Sequence, residues 1–313
     1  MYTILSQTLA ITAPVFSMLF IGVLLKRIGA IDTTFINTAS KLVFNGTMPT
    51  LLFLGIVEVD IDAGLQPGVL IYFAIASVLG FFLSWAWAIW RCPYADRGVF
   101  AQGSFRGNNG IIGLALATSM YGSYGLSLGS ILAGAVIIFY NSLSAIVLAV
   151  YSPTAKADPW SLLKSIVSNP LIIGVVAAIP FAAFQIPIPA WMLTSGHYFA
   201  QLTLPLALIC IGGTLSLASL RKSSGVALEA SLVKMVWMPI IFTFIAWLLG
   251  FRGADLGVLF LYFGAPTAAA SYVMTRAYNG NDELAAAIIV VTTLMAVLTT
   301  NIGIIVLQWG EWI

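Results

Sequence analysis

The sequence predicts an all-α, polytopic membrane protein of ten transmembrane helices arranged as two inverted five-helix repeats. Three observations predict it: the composition, the spacing of the apolar stretches, and a set of landmarks that recur at one offset. Of 313 residues, 60% are hydrophobic and 8% charged, with mean hydropathy +1.02, whereas a soluble domain averages about 25% charged. At about 20 residues per transmembrane helix, such a chain holds roughly ten spans with short loops. That leaves no room here for a sizeable extramembrane domain. A scattered net charge of +2 excludes a basic nucleic-acid binder, and two cysteines exclude a disulfide-stapled scaffold. The apolar runs are long and unbroken, unlike the short alternating segments of a transmembrane barrel.

Apolar stretches between polar breaks place spans at 8–26, 36–57, 67–90, 98–120, 126–150, 163–184, 197–217, 227–249, 256–277 and 284–308. The first follows MYTILSQ, which carries no basic residue, and precedes Lys26-Arg27, so it reads as a span and not as a cleaved signal peptide. Basic residues gather around the odd loops: Lys26, Arg27 and Lys41 at the first, Arg91 and Arg97 at the third, Lys156 and Lys164 at the fifth, Arg221 and Lys222 at the seventh, Arg276 at the ninth. The even loops hold only Arg252, and the second holds Glu58, Asp60 and Asp62. The positive-inside rule then puts the odd loops in the cytoplasm and both termini outside, in a multi-pass protein of the plasma (inner) membrane.

Ten spans divide into five and five, at 1–150 and 151–313, and an odd number per half inverts the second half relative to the first. Pro14 and Pro49 stand 35 residues apart, as do Pro170 and Pro205, and both members of the second pair lie 156 residues after those of the first. Gly107 and Tyr121 in span 4 match Gly264 and Tyr278 in span 9 at an offset of 157.

Spans 4 and 9 are the irregular ones. Span 4 sets Gly103, Arg106, Gly107, Asn108, Asn109, Gly110 and Gly113 where an uninterrupted helix would be apolar, and glycine and asparagine are poor helix formers. Span 9 has Gly264-Ala265-Pro266-Thr267, and an interior proline removes a backbone bond and clashes with the preceding turn. Each reads as two half-helices with an unwound middle. Paired interruptions at corresponding positions are the best pointer in a sequence to a transport site, where half-helix N-termini present N–H groups and a positive dipole end to an anion. A pair of packing kinks is the plain alternative. Further breaks are expected at Pro49 and Pro205.

None of the eleven carboxylates falls mid-span, the nearest being Glu229 in span 8. This argues against a proton antiporter, which needs a buried titrating carboxylate. Arg106 lies inside span 4, and its planar guanidinium is shaped to hold a carboxylate with two parallel bonds, or else to bond unwound carbonyls or snorkel. Lys234 in span 8 reads as a snorkelling or Glu229-paired cation. His197 reads as a solvated boundary residue. Asn45, Thr47, Gln102, Asn141, Ser144, Asn169, Gln201, Thr203 and Asn301 read mainly as interhelical hydrogen-bonding groups, and Trp85, Trp87, Trp90, Trp160, Trp309 and Trp312 as interfacial anchors. Cys92 and Cys210 have no CxxC spacing and read as inert apolar residues.

The stretches APTAAASYVMTRAYNGNDELAAAIIVVTTLMAV, RGNNGIIGLALATSMYG and SNPLIIG resemble the auxin efflux carriers of plants and their bacterial relatives, among them malate and malonate carriers. The likeness runs over nearly the whole chain and is specific in spans 4 and 9. It implies a scaffold of spans 1, 2, 6 and 7 and a transport domain of spans 3–5 and 8–10, whose broken helices cross. It also implies an elevator-like movement carrying an organic anion, with a homodimer as the family's expected assembly. By position it makes Asn108 the carboxylate contact, Pro266 the crossover break and Asn169 a further contact. Two departures stand out: Gly107 replaces a proline common in the family, and span 3 lacks the charged pair of the plant members, a vestigial ion site.

The expected function is secondary transport of a small organic anion, a carboxylate and more narrowly a dicarboxylate, by efflux. Candidate substrate contacts are Arg106, Asn108, Asn109, Pro266, Thr267, Asn169 and Asn45, with helix breaks at Gly107, Gly110, Gly264, Pro49 and Pro205. A sodium-coupled symporter of the bile-acid type is the alternative. The spans hold no nucleophile–base set, no metal cluster and no nucleotide-binding motif, so neither enzyme, cofactor, metal nor ATP drive is expected. The partners expected are the anion, membrane lipid and a second copy, with no nucleic acid.

Overall fold

In a computed structural model the protein is described over residues 2–58, 66–152, 160, 164, 167–215 and 225–313. Asp60, Asp62, Lys156, Arg221 and Lys222, which carry part of the orientation argument, lie outside the described residues. The fold is all-helical, with one isolated β-bridge among the described residues.

Eleven helical stretches are numbered here in chain order. They are α1 (Tyr2–Arg27), α2 (Thr33–Val57), α3 (Pro67–Arg91), α4 (Arg97–Phe105), α5 (Asn109–Tyr151), α6 (Pro170–Ala183), α7 (Ala190–Thr214), α8 (Gly225–Leu248), α9 (Gly253–Phe263), α10 (Ala270–Ala277) and α11 (Asp282–Trp309). Among the described residues, α2, α3, α5, α7, α8 and α11 are long and apolar enough to cross a membrane, and α6 and α9 are shorter apolar helices. The chain is thus a multi-pass membrane protein.

Local chemistry sets the helix ends. Asp32 caps α2 by accepting the Phe35 amide at 2.7 Å, Asn169 caps α6 by accepting from Leu171 at 2.9 Å, and Asn281 caps α11 by accepting from Leu284 at 3.0 Å. Pro67 and Pro170 stand at helix starts, where a missing N–H costs nothing. The second half of span 4 and span 5 lie in α5, which is two helices meeting at a sharp kink at Gly122, whose φ of 58° and ψ of −133° are non-helical and suit glycine. Helix α7 begins seven residues earlier than expected, directly after Pro189. This places His197 inside it, with Nε2 2.6 Å from Glu58 Oε1 at the end of α2, so His197 is a paired residue and not a merely solvated one.

Pro49 and Pro205 do not open gaps. The helix runs on past Pro49 because the preceding turn, Val43–Thr47, widens to a π-turn, which frees the carbonyl four residues back from the ring. The same device, Val233–Trp237, precedes Pro239 in α8. At Pro205 a single turn residue, Leu202, suffices.

Helix α1 packs along α7 and α2 along α6. The α1–α7 approach is close enough that a Cβ on Gly212 would lie 2.0 Å from the Leu19 carbonyl, and one on Gly22 2.2 Å from that of Ile209. At the α2–α6 contact a Cβ on Gly174 would lie 2.7 Å from the Pro49 carbonyl. The largest apolar core joins α3, α4, α5, α8, α9 and α11 with Val15, Phe16 and Leu19 of α1 and Leu208 and Ile211 of α7. At its centre Tyr262 is fully buried and donates to the Gly129 carbonyl at 2.6 Å.

Candidate functional site

The unwound residues 106–108, between α4 and α5, meet the unwound residues 264–269, between α9 and α10. The two segments pair antiparallel through Gly107 and Thr267. The Asn108 amide donates to the Pro266 carbonyl at 2.6 Å and the Ala268 amide to the Arg106 carbonyl at 3.2 Å. Thr267 fastens the pair, since its hydroxyl donates to the Gly103 carbonyl at 2.7 Å and its amide donates to Thr292 Oγ1 at 3.1 Å. Each broken helix therefore satisfies part of the other's exposed backbone, as burial away from water requires.

The half-helix starts and ends differ in access. Gly110, Ile111 and Ala269 are half-buried and Ala270 is exposed, whereas residues 101–109 and 261–268 are buried. The accessible part of the crossing is thus the start of α5 and of α10, where the first amides lack partners within the helix and the dipole is positive. On this side Gly110 meets α2: a Cβ on it would lie 2.4 Å from the Met48 Cε.

Arg106 is 7% exposed and Lys234 2%. They are the buried cations among the described residues, and no described carboxylate is buried. The Arg106 guanidinium donates to Asn141 Oδ1 at 2.8 Å and to Ser144 Oγ at 3.4 Å, and also contacts the Met274 sulfur. These acceptors are neutral, and the Arg106 Nε–H finds none among the described residues. Asn141 and Ser144, read from sequence as interhelical bonding groups, thus hold the guanidinium.

Lys234 departs from its sequence reading. Glu229 bonds Arg91 at 3.0 Å and Trp87 at 2.9 Å, and Lys234 turns inward to donate to the Phe263 carbonyl, the last of α9, at 2.8 Å. A Cβ on Gly107 would lie 3.2 Å from the ammonium and 2.3 Å from Asn109 Oδ1. The space that a side chain at 107 would need is therefore already filled. Successive residues of an extended segment face opposite ways, so Arg106 is directed to α5 and α10 and the Gly107 side faces Lys234.

Of the residues named from sequence, Arg106, Asn108, Asn109, Pro266 and Thr267 come together, with Gly107, Gly110 and Gly264 at the breaks. Asn108 makes no side-chain hydrogen bond among the described residues, and Asn109 Nδ2 lies 3.5 Å from the Tyr140 hydroxyl. Asn45 is not brought there, because its side chain is exposed on α2 and bonds back to the Lys41 carbonyl at 3.0 Å. Asn169 is occupied as the cap of α6. Sequence reasoning missed Lys234, Ser77 and Tyr140. The usable signal was that Ser77 stands 157 residues before Lys234, the offset of the glycine landmarks.

A family profile described as membrane transport protein matches residues 9–304. An uncharacterized transporter of Methanothermobacter thermautotrophicus is 22% identical over 294 residues, 93% of this chain and 95% of the relative. An uncharacterized transporter of Methanocaldococcus jannaschii is 26% identical over 219 residues, 67% of this chain and 66% of the relative.

Proposed function

This chain belongs to the membrane transport protein family, that of the auxin efflux carriers, and from that premise we propose that it is a secondary transporter of small organic anions, most narrowly of a short dicarboxylate such as malate or malonate. It is a transporter and not an enzyme. The observation that carries the substrate class is Arg106: a buried guanidinium in an unwound helix, held by neutral acceptors, with no carboxylate beside it. A buried charge without a partner is costly, and an incoming carboxylate supplies the partner. Asn108, whose carboxamide is unengaged among the described residues, and the first amides of α5 and α10 replace further hydration.

The movement proposed is of the elevator type, in ten spans of two inverted repeats. Its support is the close packing of α1 along α7 and of α2 along α6 as a scaffold, and the pairing of the two broken helices with each other. Efflux across the plasma membrane, with both termini outside and two copies associated, completes the proposal. It rests on loop charge and family resemblance.

The test is thermal unfolding of the purified protein in detergent against mono- and dicarboxylates, since a ligand bound only by the native state raises its stability by RT ln(1 + [L]/Kd), about 2.7 kcal/mol at a hundredfold excess over Kd. A short dicarboxylate should raise the melting temperature of the native chain and leave Arg106→Ala unmoved. No response to any carboxylate, or an equal response in Arg106→Ala, overturns the reading.

A further inference from the structure

We infer that the Lys234 ammonium is a built-in cation at the enclosed side of the crossing, standing where a monovalent metal ion would otherwise sit, so that the chain works without a coupling cation at that position. The inference uses the transporter reading only in calling such a cation a coupling ion.

Two half-helix ends converge there. Helix α4 ends at Phe105 and α9 at Phe263. The last carbonyls of a helix lack intrahelical partners and carry the negative end of its dipole. In transporters with discontinuous helices, such ends and the adjoining unwound carbonyls coordinate sodium. Here Phe105 and Phe263 line one cavity of about 10 Å³, room for about one water molecule, together with Ser77, Tyr140, Lys234 and Phe242.

The ammonium occupies this place by design of α8. The π-turn Val233–Trp237 adds a residue to one turn ahead of Pro239, and Lys234 is carried on it into the interior. Its Nζ donates to the Phe263 carbonyl, no described carboxylate is buried beside it, and the missing side chain of Gly107 leaves it room. Its bonded partner among the described residues is therefore the Phe263 carbonyl at the negative end of α9, a group of the kind that would hold a metal ion. The two buried cations also divide the crossing. Arg106 is directed towards α5 and α10, and Lys234 fills the side where α4 and α9 end. Ser77, at the landmark offset on α3, shares the cavity with Lys234.

The experiment needs no carboxylate, so its outcome is separate from that of the ligand screen. The purified full-length protein, Lys234→Ala and Lys234→Met are melted in detergent in sodium, potassium, methylammonium and choline chloride at equal ionic strength. The native chain should melt at one temperature in all four. Lys234→Ala, which vacates the position, should melt several degrees lower in choline and recover at least half of the loss in sodium or methylammonium. Lys234→Met, which fills the space without the charge, should stay low in every salt. Four results overturn the inference: sodium stabilisation of the native chain, no loss in Lys234→Ala in choline, a loss that no small cation restores, or equal rescue of the methionine variant. Should Lys234→Ala give no folded protein in any salt, the native chain and Lys234→Met decide it by the same criteria.

Discussion

The amide of Asn108 donates to the carbonyl of Pro266 at 2.6 Å, so the two broken helices are joined main chain to main chain and the Asn108 side chain is no part of the join. Asn108→Ala should therefore keep its melting temperature within about a degree of the native chain while weakening carboxylate binding at least tenfold, about 1.4 kcal/mol. Isothermal titration in detergent, beside a melting curve, checks both halves. A large drop in stability with unchanged affinity would make the side chain structural.

Gly107→Ala tests the fit at the crossing. Its Cβ would meet Asn109 Oδ1 at 2.3 Å and the Lys234 ammonium at 3.2 Å. Overpacking of this kind costs about 1–3 kcal/mol. The variant should melt lower and lose any response to carboxylates, read in the same thermal assay; native behaviour would show that the paired segments yield easily.

Asn169 separates a cap from a contact. Because its Oδ1 is spent on the Leu171 amide, Asn169→Ala should destabilise the protein by about 0.5–2 kcal/mol and leave carboxylate affinity unchanged. Asn169→Asp, which keeps the acceptor, should restore stability. Loss of affinity in the stable aspartate variant would return Asn169 to the substrate.

The α1–α7 contact makes a further prediction by contrast. Gly212→Ala would set a Cβ 2.0 Å from the Leu19 backbone carbonyl, which cannot rotate away, whereas Gly225→Ala meets nothing within 4 Å among the described residues. The first should fall by more than about 2 kcal/mol, and the second should be neutral or gain up to about 1 kcal/mol from helix propensity. Paired melting curves of the two variants decide it, and equal behaviour would mean that α1 and α7 are not held at this distance.

The interruptions at 106–108 and 264–269 were legible because helix propensity is local: glycine, asparagine and an interior proline act on their own turn. The meeting of Arg106, Asn108, Asn109, Pro266 and Thr267 followed from reading both interruptions as one site. Proline was a weaker guide at Pro49 and Pro205, since whether a ring breaks a helix depends on whether the turn before it can widen or flex. The inward turn of Lys234 was harder to read for a related reason, its offset from Ser77 being the one hint. Snorkelling and burial differ by the direction of one side chain, which the π-turn at Val233–Trp237 and the end of α9 decide together, and neither shows in a hydropathy pattern. Asn45 and Asn169 were polar residues beside prolines whose bonds turned out to be made within their own helices.

The contact of Met48 with Gly110 bears on friction. A thioether is unbranched and turns about three soft bonds, and the surface it touches has no side chain to catch on. In the elevator movement proposed above, with α2 fixed and the start of α5 travelling, this pairing would be a smooth bearing. A branched residue at 48 or any Cβ at 110 would install a notch, slowing passage between end states without altering how tightly either end state holds its cargo.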